Sequence, residues 1–137
     1  MPEGCLLVVP PMRRRSTITN DLRDELSKAL RAERLSDALA LYELIEKRKP
    51  EEPRWPRRRA DLLHRMGRED AAVAAYERAI ALYAAKGFIE RAIATAKVML
   101  SIDPTKNALL YRLEDEAASQ FHPSKLVTTH ANVHHRH

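Results

Sequence analysis

The sequence predicts an all-α fold, on three observations. Between Asn20 and Phe121, apolar residues recur at three- and four-residue spacings almost without a break, which is the period of a helix face. No segment alternates apolar and polar residues over the length of a strand. Glycine occurs only at Gly4, Gly67 and Gly87, too few for the tight turns of an all-β chain or for a glycine-rich phosphate loop.

The elements follow in order. Residues 1–19 have no period, hold three prolines and the triplet Arg13, Arg14 and Arg15, and are expected to form a disordered arm. Within that arm Met12 is an alternative start to Met1. Asn20 or Asp21 can cap a first helix with Leu22, Leu26, Ala29 and Leu30 on one face. Ser36 can cap a second, carrying Leu39, Tyr42 and Ile45, which Pro50, Pro53 and Pro56 end. A third is expected from about Trp55 to Met66, closed by Gly67. A fourth runs from about Glu69 to Lys86, rich in alanine, with Val73, Tyr76, Ile80 and Tyr83, and Gly87 closes it. A fifth carries Ile89, Ala92, Ile93, Ala96, Met99 and Leu100 and stops before Pro104. A sixth starts near Pro104 with Asp103 as cap and carries Leu109, Leu110, Leu113, Ala117 and Phe121. Residues 122–137 have neither acid nor helical stripe and read as a disordered, histidine-containing tail.

Composition narrows the class. One cysteine, Cys5, excludes an intrachain disulfide framework and a cysteine zinc site built from this chain alone. No apolar run approaches the roughly 18–20 residues of a membrane span. The apolar stretch Cys5–Pro11 is short, and its basic residues follow it, where a signal peptide carries them in front. A cytoplasmic protein without a membrane partner is therefore expected.

An internal repeat organises the helices. Ala38, Tyr42 and Ile45 recur as Ala72, Tyr76 and Ala79, each 34 residues on. The small residue lets a neighbouring helix approach, and the tyrosine ring fills the space one turn away. Gly67 precedes Ala72 by five residues, as Gly87 precedes Ala92, and Pro50 and Pro104 follow Ala38 and Ala92 by 12. These residues resemble the tetratricopeptide repeat (TPR) family over about residues 20–121. The second unit matches best, through Ala60, Leu63, Gly67, Ala72, Tyr76 and Ala79. The first matches through Leu22, Leu26, Ala29, Ala38, Tyr42, Ile45 and Pro50, and the third through Gly87, Ala92, Ala96, Met99 and Pro104. The resemblance implies a stack of helix-turn-helix hairpins, about six helices in all, forming a fragment of a right-handed α-solenoid. The sequence departs from the pattern in places. Leu26 and Glu33 stand where the family favours small residues, and Trp55 comes one position early, with Pro56 in the usual place. Gly67 and Gly87 are only 20 residues apart, so the long fourth helix has to serve two hairpins.

Residues for catalysis are sparse, and no enzyme, metal site or cofactor is expected. Nothing fixes Cys5 beside a base. Glu114, Asp115 and Glu116 are consecutive and so point around a helix rather than to one place. His130 and His134 have the i, i+4 spacing of two ligands, but nothing favours a helix there; with His135 and His137 they suit adventitious nickel or zinc.

Charge is the informative feature. The net charge is +5, yet residues 20–52 hold seven basic and nine acidic residues, and 69–121 hold six and eight. The excess sits at Arg13–Arg15 and in residues 54–68, which hold six arginines and one acid. In proteins similar to the TPR family, ligands lie in a groove lined by the first helix of each hairpin. The resemblance maps this groove to Arg23, Ser27 and Leu30, and to Arg54, Arg57, Arg58, Asp61 and His64. Arginine forks pair with carboxylate or phosphate at two points. The leading expectation is a non-enzymatic protein–protein interaction module, an adaptor or scaffold docking an acidic partner segment. The alternatives are an electrostatic nucleic-acid binder using Arg13–Arg15 and Arg54–Arg59, or the N-terminal docking or sensor part of a larger bacterial signalling protein. Aromatics are only 5% of the chain, which argues against base stacking. Leu109, Leu110 and Leu113 lie on a sixth helix with no partner after it, and are expected to form an apolar end surface open to self-association.

Overall fold

The structure, a computed structural model, describes residues 11–120, with side chains from Asn20 onward. Among these residues there are six α-helices and no strand, as the periodicity requires. They are α1 (Pro11–Arg31), α2 (Leu35–Arg48), α3 (Arg54–Arg65), α4 (Glu69–Ala85), α5 (Ile89–Ile102) and α6 (Asn107–Gln120). One 3₁₀ turn, Pro104–Lys106, precedes α6. The chain divides into two compact units, the first ending at Ala75 and the second starting at Tyr76.

Three turns share one design. After α3, the Arg68 amide donates to the Leu63 carbonyl and the Gly67 amide to that of His64, each at 2.9 Å, with Gly67 at φ +82°. After α4, Phe88 donates to Tyr83 at 2.9 Å and Gly87 to Ala84 at 3.0 Å, with Gly87 at φ +84°. These paired bonds satisfy helix-end carbonyls and need one residue in the left-handed region, where glycine is unstrained. The third turn lacks glycine. After α1, Arg34 donates to Ala29 at 2.9 Å and Glu33 to Leu30 at 3.1 Å, with Glu33 at φ +60°. Glu33 thus occupies the backbone position that Gly67 and Gly87 hold.

Several expected boundaries shift. Helix α1 begins at Pro11, not at Asn20 or Asp21, so residues 11–19 are helical rather than part of an arm. Proline suits a first helical turn, and no breaker lies between it and Asn20. Ser36 does not cap α2, which starts at Leu35 behind Arg34 with no side-chain cap bond. The turn at Glu33 sets that start, and the Arg34 guanidinium binds Asp37 at 2.9 Å. Asp103 does act as a cap, but of the 3₁₀ turn. Its carboxylate accepts from the Thr105 amide at 3.1 Å and from the Thr105 hydroxyl at 2.6 Å. These bonds favour the ionised form and hold the Asp103 carboxyl below its ordinary value.

In the first unit α1 packs on α2, and α2 on α3. Its core joins Leu26, Ala29, Ala38, Tyr42, Ile45, Trp55 and Leu62. Leu26 is accommodated there despite its size. In the second unit α5 packs on α6, with the 3₁₀ turn against both. Ala79, Ala92, Ala96 and Met99 have no exposed surface. Leu113 is buried as well, and Leu109 and Leu110 are half-buried. Of the expected leucine surface, Leu113 is thus covered, while Leu109 and Leu110 keep part of their surface exposed. Helix α6 turns its apolar edge onto α5, and the large exposed side chain is Tyr111. The proposed disordered tail, with His130, His134, His135 and His137, lies outside the described residues, as do residues 1–10 and Phe121.

Candidate functional site: an arginine-rimmed cleft around Trp55

The expected groove residues sit on α1 and α3. Their spacing follows helix geometry: Arg23, Ser27 and Leu30 rise along one face of α1, as Arg54, Arg58 and Asp61 do along α3. What brings the two rows together is Trp55, which the sequence marked only as a displaced residue. Its ring is 2% exposed and packs tilted against Tyr42 of α2, with centroids 6.3 Å apart. Its indole N–H donates to Glu52 at 3.2 Å. Three guanidiniums lie over this ring. Arg23 of α1 is 5.3 Å from the centroid, and Arg54 and Arg58 of α3 are at 5.5 and 5.7 Å. Such contacts are worth about 0.5–1 kcal/mol each at exposed sites. The available signal was the single tryptophan of the chain flanked by Arg54 and, one turn later, Arg58.

Beside the cluster is a small open cleft of about 180 Å³, lined by Leu30, Tyr42, Arg58, Asp61, Leu62 and Arg65. Burial raises the Tyr42 hydroxyl above its ordinary pKa; Arg58 opposes the shift and Asp61 adds to it. The cleft is thus apolar at its base and charged at its rim. Its volume falls below the roughly 300–1,000 Å³ of drug-sized ligand sites and matches a side chain better. A larger hollow of about 340 Å³ lies against Glu25, Lys28, Arg34, Asp37, Ala40 and Leu41. Its charges are mixed and partly paired with each other, so it offers no net charge to a ligand.

Folding neutralises most of the basic run. Arg57 pairs with Asp61 at 3.7 Å, Arg54 with Glu52 at 3.6 Å, and Arg65 with Glu33 at 2.7 Å. Arg59 pairs with Glu46 across α2 and α3, its second nitrogen at 3.3 Å. His64 is exposed, with its Nδ1 4.0 Å from Glu69. Asp61 is accordingly a partner of Arg57 as well as a rim residue. Ser27 is exposed on α1, one turn beyond Arg23. Among the described residues, Arg23 and Arg58 touch the indole and have no carboxylate partner within 4.0 Å.

Among the described residues no three His, Cys, Asp or Glu side chains are grouped to hold a metal ion, and no helix is long and apolar enough to cross a membrane. No protein-family model matches the chain, and no curated protein matches it.

Proposed function

We propose that the chain is a non-enzymatic, TPR-like interaction module that docks an acidic segment of a partner protein in the cleft between α1 and α3. The observation that carries this reading is the convergence of Arg23, Arg54 and Arg58 on Trp55 beside a cleft based on Leu30, Tyr42 and Leu62. An apolar base with Arg58 and Arg65 beside Asp61 at the rim suits a short peptide that places one side chain inside and an acid against the arginines. The 34-residue recurrence and the glycine-type turns support the repeat assignment. A nucleic-acid reading is less favoured. A polyanion needs a continuous track of cations. Here Asp61, Glu33, Glu46 and Glu52 interrupt that track.

The test is binding of the full chain to an immobilised acidic peptide library. Arg58→Glu and Arg23→Glu should each abolish capture. Arg34→Glu, which alters a surface arginine outside the cluster, should leave it intact. Equal capture by all three variants would remove the cleft from the reading.

A further inference from the structure

Ring contact and charge pairing distinguish the arginines of α3 and Arg23 of α1 from one another. Arg57, Arg59 and Arg65 have acids drawn to them from their own or a neighbouring helix. Arg23, Arg54 and Arg58 surround one indole; among the described residues only Arg54 of the three has a carboxylate partner, Glu52 at 3.6 Å. Each guanidinium carbon lies within 5.7 Å of the centroid of the same ring. Like charges this close disfavour each other, and an anion shared among them relieves the repulsion.

We propose that Arg23, Arg54 and Arg58 form a site for a phosphomonoester dianion carried on a side chain of the docked segment. The inference rests on the cleft reading above and names the anion that the cleft takes. Three guanidiniums against one carboxylate leave two positive charges. A phosphomonoester carries about −1.5 to −2 at pH 7 and three acceptor oxygens, whereas a carboxylate carries one charge and leaves the excess unmatched. The donors come from two helices, so the forks reach the anion from different sides and can bind it in pairs. Lying on a buried ring, they are partly ordered before binding, which reduces the entropy lost on capture. The paired acids around the cluster keep the positive field local. That favours one dianion at one position over a repeating phosphodiester chain.

The test uses the full chain and three immobilised peptide libraries of one degenerate sequence, with phosphoserine, serine or two glutamates at the central position. A single-stranded oligonucleotide series of increasing length is the fourth probe. The phosphoserine library is expected to bind about tenfold or more tightly than the glutamate one. That preference should vanish in Arg23→Gln and Arg58→Gln, and persist in Arg34→Gln, all three keeping wild-type helical circular dichroism. Inorganic phosphate should show phosphorus-31 line broadening with wild-type protein that Arg58→Gln removes at matched ionic strength. Equal binding of the phosphoserine and glutamate libraries overturns the phosphate assignment and leaves the cleft reading standing. Binding of neither library overturns both. Capture of oligonucleotides alone, growing with their length, overturns both in favour of nucleic acid.

Discussion

In residues 20–75, long side chains tie the helices together: Trp55 under Arg23, Arg59 to Glu46 and Arg65 to Glu33. In residues 76–120 the tie is mainly apolar burial, with Tyr76, Ile80, Ile89 and Met99 buried beside alanines. Ala79, Ala92 and Ala96 have no exposed surface, and the buried polar group Thr95 donates its hydroxyl to the Arg91 carbonyl of its own helix at 2.8 Å. Lys106 to Glu77, at 3.3 Å, is an exposed pair of the kind worth little. The first mode leaves Arg23, Arg54 and Arg58 exposed around a buried indole. The second relies on apolar burial and leaves Phe88 and Tyr111 exposed.

The largest effects separate the two modes directly. Trp55→Ala should cost about 3–5 kcal/mol in denaturant unfolding and also end peptide capture, because the ring both fills the core and carries the arginines. Met99→Ala should cost about 2–5 kcal/mol without removing any residue of the cleft. A Trp55→Ala protein of wild-type stability would break the comparison at its first term.

The next effect concerns close packing. Ala96→Leu should destabilise by about 1–3 kcal/mol, since its site has no exposed surface to receive the added bulk. Ala94→Leu, on the exposed face of the same helix, should change stability by no more than about 0.5 kcal/mol. Thermal melts of the pair test whether the alanine face, rather than alanine content, holds α5.

Backbone strain sharpens the comparison of turns. Gly67→Ala should cost about 1–2 kcal/mol from the left-handed backbone alone, since a Cβ there meets no atom within 4 Å. Glu33→Gly relieves the same strain but loses the exposed pair with Arg65, and should raise stability by under about 1 kcal/mol. A melting temperature lowered by Glu33→Gly would mean that the ion pair outweighs the strain.

The smallest effect is at Asp103. Its carboxyl is held below the ordinary 3.8, so the contribution is present above that value and fades as pH falls through the folded-state pKa. Asp103→Ala should lower the melting temperature slightly at about pH 6, and the difference from wild type should close on acidification to about pH 2. A difference independent of pH would assign the effect to the turn's packing instead.

Much of this architecture was legible beforehand. The spacing of Ala38, Tyr42 and Ile45 places a buried face on α2, and all three are buried. Gly67 and Gly87 end their helices as expected because a left-handed residue is a local requirement. The turn at Glu33 was not legible in the same way, since glutamate gives no sign of that conformation. Nor was the start of α1, where a cap residue at Asn20 competes with an uninterrupted helix behind it. Nor was the burial of Leu113 legible, since its cover is α5, earlier in the chain, and not a helix that follows α6.

By itself, the sequence determined the helical class and the concentration of arginine near Trp55. Both depend on residues within a few turns of one another, where spacing is geometry. Only the tertiary structure decided which of those arginines remain available. Arg59 finds Glu46 from 13 residues away and Arg65 finds Glu33 from 32, while Arg23 crosses from α1 to the ring of Trp55. Coulomb attraction and stacking act through space, so net charge along a segment does not say where charge is left once the helices meet.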